Sequence, residues 1–170
     1  MPVVAAPREV WMEGRGSRLA ARFRKAVDDR DALQRQAEEA ARTAAEDARS
    51  ARQRLLSDLE GIARDIGDIE VTRPSGGLQL RHRGRVLGFV AKGDTDRIDV
   101  TLDAASDGEH WLYRQQELGA RWVYARKRGV RDDRVPLFDQ GLEDLLVRGL
   151  GLPPPSPDGA PPAEPPSKKL

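Results

Sequence analysis

The chain has 170 residues, of which 34% are charged and 38% hydrophobic, so we expect a small core and long solvated surfaces. The formal net charge of +1 excludes a strong overall attraction to nucleic acid or membrane. Cysteine is absent, which excludes disulfides, thiolate nucleophiles and zinc sites built on cysteine. The sequence shows neither a signal peptide nor an apolar run of membrane-spanning length, so we expect a cytoplasmic location.

A long amphipathic helix is predicted at residues 17–67, after a flexible N-terminal segment at residues 1–16. Ser17 is a suitable N-cap, Gly67 is a suitable C-terminal stop, and no proline lies between them. Apolar residues repeat along this stretch at a mean spacing of 3.6 residues, whereas a strict coiled coil shows 3.5, so we expect stutters and weak supercoiling. The sequence therefore predicts a coiled-coil-like helical arm.

The apolar stripe of this arm needs a partner, because most helical stability comes from packing of the apolar face. That partner is a second copy, the head of the same chain or another protein, and we favour a homo-oligomer. Alanines fill the middle of the stripe and bury little area, so we expect the middle to associate more weakly than the ends. Arg30 interrupts the stripe, either to set register or by extending into solvent. The predicted partner-binding seam consists of Leu19, Phe23, Leu33, Ala37, Ala40, Ala44, Ala48, Leu55, Leu59 and Ile62.

Residues 68–150 are predicted to form a β-rich head. Apolar and polar residues alternate with a period of two, and turn signals such as Arg83-Gly84 separate the runs. We expect an antiparallel β-meander of about five strands, covered by a C-terminal helix at residues 140–149. The fold class is α+β. Residues 151–170 are rich in proline, have no hydrophobic pattern and are predicted to be a disordered tail.

An aromatic hairpin is the most specific feature of the head. A four-residue turn at 116–119 would place Tyr113 opposite Trp122. The same turn would place Trp111 opposite Tyr124, so that all four rings share one face of the sheet. These rings are interpreted as core beneath the C-terminal helix, with a base-stacking platform as the alternative.

A cluster of basic residues follows this hairpin. Residues 73–135 hold 13 Lys+Arg against 9 Asp+Glu, which makes the head the basic part of the chain. We expect the cluster to lie in a solvated loop that Asp132 and Asp133 partly neutralise, with a loop that binds an anionic ligand as the alternative. The candidate anion-binding residues are Arg121, Arg126, Lys127, Arg128 and Arg131.

The remaining candidates for chemistry are weak. Asp94, Asp96 and Asp99 are spaced as D-x-D-x-x-D but lack the other ligands of a calcium-binding loop, and turn formation explains them. His82 and His110 have neither metal-ligand nor triad-like spacing. We therefore predict no metal, no cofactor and no enzymatic activity.

Two functions remain after these exclusions. The first is a non-enzymatic oligomeric adaptor or scaffold, which acts through helix–helix association and a small β-rich binding head. The alternative is an oligomeric nucleic-acid-binding protein that uses the basic, aromatic head and gains avidity from the arm. Nucleic acid is the less favoured partner, because no recognisable RNA-binding motif accompanies the aromatic residues.

Overall fold

The structure is a computed structural model that describes residues 8–103 and 108–155. The predictions for the first seven residues, for the turn near residue 106 and for most of the proline-rich tail lie outside the described residues. A long N-terminal helix, an antiparallel sheet and a C-terminal helix follow one another along the chain, as predicted.

Helix α1 spans Arg8–Ile66. It begins upstream of the predicted N-cap at Ser17, because the glycines before that residue lower helix propensity without forbidding a helix. It ends where predicted, since Gly67 adopts the left-handed conformation with φ 75° and its N–H donates to the Arg64 carbonyl at 3.2 Å.

Within the described residues, seven strands form one sheet in which every strand pairs antiparallel with its neighbours in the chain. The hairpin from β2 to β3 closes through Arg83 and Gly84, both at positive φ, as the turn signal predicted. The strands are β1 Glu70–Thr72, β2 Gly77–His82, β3 Arg85–Ala91, β4 Arg97–Leu102, β5 Glu109–Gln115, β6 Arg121–Arg128 and β7 Arg131–Pro136.

The predicted number of about five strands is wrong, because both edge strands carry little hydrophobic signal. Strand β1 has only three residues, and β7 has the sequence RDDRVP, with only Val135 partly buried. An edge strand has one pairing neighbour and less apolar burial, so alternation alone does not reveal it. Strand β7 pairs with β6 from Val123 opposite Pro136 to Arg128 opposite Arg131.

Helix α2 spans Leu142–Leu150 and follows a π-helical turn at Leu137–Gly141. It corresponds to the predicted C-terminal helix. Its end is marked by Gly151 at φ 67°, whose N–H donates to the Val147 carbonyl at 3.0 Å. Leu145 and Leu150 on this helix are fully buried in the core.

The hydrophobic core lies on one face of the sheet, and both helices contribute to it. The end of α1 supplies Leu55, Leu59 and Ala63, each at most 2% exposed. The stripe of α1 thus has its own head as the partner over this stretch. The strands contribute Leu78, Leu80, Leu87, Phe89, Ile98, Val100, Leu112 and Tyr124.

The chain divides into two compact units after Asp47, inside α1. In the first unit, the described residues form a helix alone. The second unit contains residues 48–66 of α1 together with the sheet and α2. The predicted boundary at residues 67/68 follows the change of secondary structure, whereas the compact unit includes the end of the helix because that end packs in the core.

Candidate functional site

The part of α1 in the first unit carries large apolar side chains in contact with solvent. Leu19, Phe23, Val27 and Leu33 are 53%, 65%, 54% and 66% exposed. At about 100° per residue, the four lie within an arc of about 120° on one side of the helix. We call these four residues the exposed helical face. Single exposed apolar residues are ordinary, and it is their position on one side of the helix that makes these four a candidate interaction surface.

The predicted seam is split between solvent and core. Its members up to Ala44 are exposed, while Ala48, Leu55 and Leu59 are buried and Ile62 is half-buried. The buried members already have a partner in their own unit. The exposed seam residues are Leu19, Phe23, Leu33, Ala37, Ala40 and Ala44.

The predicted arrangement of the four aromatic rings is wrong by one residue. Tyr124 lies opposite Leu112, and Trp111 lies opposite Ala125. The connection at 116–120 is one residue longer than predicted, with Gly119 and Ala120 both in the left-handed region. A shift of one residue moves side chains to the other face, so the rings are divided between the two faces.

The face of the sheet opposite the core holds Trp111 and Tyr113, both half-buried. The Arg97 guanidinium lies 5.0 Å from the centroid of the Trp111 ring, and the Arg134 guanidinium lies 5.9 Å from that of Tyr113. Both distances are within the range of cation–π attraction. This face therefore combines two aromatic rings with two cations. We call Trp111 and Tyr113 the outer aromatic pair, and Arg97 and Arg134 are its arginines.

On the core face, Tyr124 is held by His110. The His110 Nδ1 and Tyr124 Oη atoms are 2.7 Å apart, and the two rings are nearly parallel. Burial raises the pKa of the Tyr124 hydroxyl to about 12. The second histidine, His82, donates from Nδ1 to the Leu150 carbonyl at 3.1 Å and so ties β2 to the end of α2. Both histidines are buried.

The basic cluster lies on strands β6 and β7, and the prediction of a loop is wrong. Arg126 faces the core side and bonds Asp133 at 2.7 Å from Nη2 to Oδ2. This hydrogen bond raises the pKa of Arg126 and lowers that of Asp133. Alternation along the strand places Lys127 on the outer face, so the cluster does not form a single surface. The exposed members are Arg121, Lys127, Arg128 and Arg131.

The three acidic residues of the D-x-D-x-x-D pattern are engaged by different cations. Asp94 pairs with Arg49 at 3.3 Å, and Asp96 pairs with Arg114 at 3.2 Å. Asp99 pairs with Arg97 at 2.8 Å and with a lysine, Lys92, at 3.3 Å. Within residues 8–103 and 108–155, no group of three potential ligands is placed to hold a metal ion.

Arg52 is a candidate that the sequence reasoning missed. It lies on α1 one helical turn after Ala48, on the face that packs against the sheet, and is only 5% exposed. Its Nη1 donates to the carbonyls of Lys92 at 3.1 Å and Gly93 at 2.6 Å. The available signal was its position within the helical stripe between Ala48 and Leu55.

No protein-family model, curated protein or solved structure matches this chain. Among the described helices, none combines the length and the hydrophobicity needed to cross a lipid bilayer.

Proposed function

We propose that this protein is a non-enzymatic oligomeric adaptor that joins two copies through the exposed helical face and binds further ligands through the head. One observation carries the proposal. Leu19, Phe23 and Leu33 are each more than half exposed on one side of a helix whose other residues are mostly charged, polar or alanine. A helix in a protein gains most of its stability from packing of its apolar side, so we expect this side to bind a partner.

Charge along the helix favours a second copy as that partner. Residues 16–27 hold four Lys/Arg and no Asp/Glu, whereas residues 28–47 hold three Lys/Arg and seven Asp/Glu. One end of this part is therefore basic and the other acidic, with net charges of +4 and −4. Two copies that run antiparallel bring unlike ends together, and two that run parallel bring like ends together.

Side-chain size along the seam favours the same arrangement. In one antiparallel register of two copies, the large residues at the start of the seam lie opposite the alanines near its end. Leu19 then meets Ala44 of the second copy, and Phe23 meets Ala40. Large side chains thus lie against small ones at both ends, which allows close packing without voids or overlap.

The parallel arrangement lacks these advantages. It would bring Arg30 against Arg30 of the second copy in the middle of the seam, where like charges repel. The antiparallel arrangement instead sets Arg30 beside Leu33, from where its charged end extends to solvent. We therefore propose an antiparallel dimer with a coiled-coil-like seam.

The mass in solution tests this proposal, measured by light scattering after size exclusion on the full chain. We expect a dimer for the wild type and a monomer for Phe23→Asp, because a carboxylate would be buried in the seam. Ala21→Asp adds the same charge on the opposite side of the helix and should remain dimeric. A monomeric wild type, or equal effects of both variants, would refute the dimer.

A second candidate function is nucleic-acid binding by the outer face of the head. The observation that favours it is the outer aromatic pair with Arg97 and Arg134, in which two half-buried rings lie beside two cations. Arg97 also pairs with Asp99 and Arg134 with Asp132, so a bound phosphate would replace these carboxylates. It predicts salt-sensitive binding of a single-stranded oligonucleotide, measured by fluorescence anisotropy, and its loss in Trp111→Ala. Leu142→Ala, which alters the core side only, is the matched control. Unchanged binding in Trp111→Ala would remove this site.

A further inference from the structure

Arg52 is a buried cation that forms no ion pair with any carboxylate among the described residues. Its guanidinium is held at one corner only, where Nη1 donates to the Lys92 and Gly93 carbonyls. Its Nε is buried and has no hydrogen-bond partner in the described part of the chain. Buried charges in proteins are normally paired, whereas Arg52 has two carbonyl acceptors and no carboxylate partner among the described residues.

The unpaired part of the guanidinium has a definite chemistry. Nε and Nη2 form the side-on edge of an arginine, which donates two parallel hydrogen bonds to a carboxylate or phosphate group. In Arg52 the two carbonyls occupy the opposite corner and fix the plane of the group. The edge suited to an oxyanion is therefore the part that no described side chain uses.

Arg52 lines a concavity of about 500 Å³ between the end of α1 and strands β2 and β3. Two more arginines, Arg49 and Arg73, line the same space, and none of the described residues that line it is acidic. The lining thus carries three positive charges. Gly76 and Gly77 form part of the wall. Because glycine has no side chain, an anion can approach the guanidinium groups closely there.

The two flanking arginines are held to different degrees. Arg73 is fixed by Glu60, with 2.7 Å from Nε to Oε2, and by the Ser57 hydroxyl at 3.0 Å. Arg49 pairs with Asp94 at 3.3 Å, and both side chains are about two-thirds exposed, so this pair is weak. An anion in the concavity would meet one fixed cation, one readily redirected cation and Arg52, which lines the same space.

We propose that this concavity binds a small oxyanion, a phosphate monoester or a carboxylate, through the guanidinium of Arg52 with Arg49 and Arg73 at its sides. The site does not depend on the dimer, because all of its residues belong to the second unit. It gives the head a ligand of defined chemistry, which the adaptor function alone does not supply.

Titration calorimetry on the full chain tests the site with phenyl phosphate and benzoate, which present the two oxyanions on the same ring. We expect saturable binding of at least one probe, weakened about 10- to 100-fold in Arg52→Gln. Arg54→Gln, an exposed arginine on the same helix, is the matched control and should bind as the wild type does. Binding of phenyl phosphate alone would select a phosphate ligand, and binding of benzoate alone a carboxylate.

The outcome is interpretable even if Arg52→Gln folds poorly. Arg73→Gln changes a flanking, more exposed residue, and it should weaken the same probe while the circular dichroism spectrum stays that of the wild type. Absence of saturable binding to the wild type overturns the proposal. So does equal weakening in Arg54→Gln and Arg52→Gln, because that result would reflect general charge alone.

Discussion

Arg126 and Asp133 face each other across the β6–β7 pair, with 2.7 Å between Nη2 and Oδ2. The Arg126 side chain is largely buried on the core side, so this contact secures an edge strand that has little hydrophobic burial of its own. Strand β7 is thus held through a charge-assisted hydrogen bond as well as its backbone ladder.

Acid should weaken this contact in a defined pH range. The hydrogen bond from Arg126 lowers the pKa of Asp133 below its ordinary value of 3.8, so the unfolded chain takes up this proton first as pH falls. The stabilisation is present above pH 3.8 and is lost as pH falls towards the lowered pKa. Asp133→Asn should therefore lose stability at neutral pH and show a flatter acid dependence in urea unfolding. Asp132→Asn is the control, and identical profiles for both variants would contradict the prediction.

Removing the Tyr124 hydroxyl should destabilise the head. Tyr124→Phe deletes the hydrogen bond to His110 inside the core, at a cost of about 1–3 kcal/mol in the free energy of unfolding. Tyr113→Phe changes a half-buried ring on the outer face and should cost about 0.5 kcal/mol or less. Urea denaturation followed by tryptophan fluorescence measures both. A loss in Tyr124→Phe no larger than in Tyr113→Phe would count against this contact.

The Tyr124 hydroxyl should also make the free energy of unfolding depend on pH in the alkaline range. The folded-state pKa of Tyr124 is raised from 10.0 to about 12, so the folded chain retains this proton after the unfolded chain has lost it. The contribution is fully present below pH 10.0 and is lost as pH rises towards about 12. The stability of the wild type should therefore fall more steeply over this range than that of Tyr124→Phe. Parallel curves would show that Tyr124 titrates normally in the folded chain.

The end of α1 should be necessary for the head to fold. A fragment of residues 48–170 retains Leu55 and Leu59 in the core, whereas a fragment of residues 68–170 lacks them. We expect dispersed amide NMR signals and cooperative unfolding from the first fragment only. In the full chain, Leu59→Ala should cost about 2–5 kcal/mol. Leu33→Ala, in the exposed part, should leave the unfolding of the head unchanged, and a folded fragment 68–170 would contradict the prediction.

The direction of the proposed dimer can be read from disulfide cross-linking, because the chain has no cysteine of its own. Leu19→Cys and Ala44→Cys are introduced in separate chains of different tag length, mixed and oxidised. An antiparallel dimer yields the mixed cross-link, while a parallel dimer yields only the two self-linked products. The mixed product should also decrease at high salt, since screening weakens the attraction between unlike ends.

Strong periodic patterns in the sequence were sufficient to predict the main helices and the antiparallel sheet. The stop at Gly67, the turn at Arg83-Gly84 and the final helix were all recognisable, because each depends on local residue chemistry. Strand β7 was not recognisable, since its polar residues gain their place from pairing with β6. The predicted pairing of the aromatic residues was also wrong, because the length of the connection at 116–120 sets the register of β5 against β6.

The candidate site was predicted less well than the fold. The apolar stripe of α1 was visible, but only packing shows that Leu55 belongs to the core while Phe23 remains in solvent. Arg52 resembles any other helical arginine in sequence, and its unusual state arises from carbonyls about forty residues away. Burial and long-range contacts of this kind leave no linear pattern.

The order of the sheet has a consequence for how the chain folds. Each of the seven strands pairs only with its neighbours in sequence, so the ladder can grow one hairpin at a time with short loops to close. The core, however, needs Leu55 from α1 and Leu145 from α2 at the two ends of this ladder. During synthesis, the sheet therefore lacks its full cover until α2 has left the ribosome. Stable folding should begin only then, as a late and cooperative event.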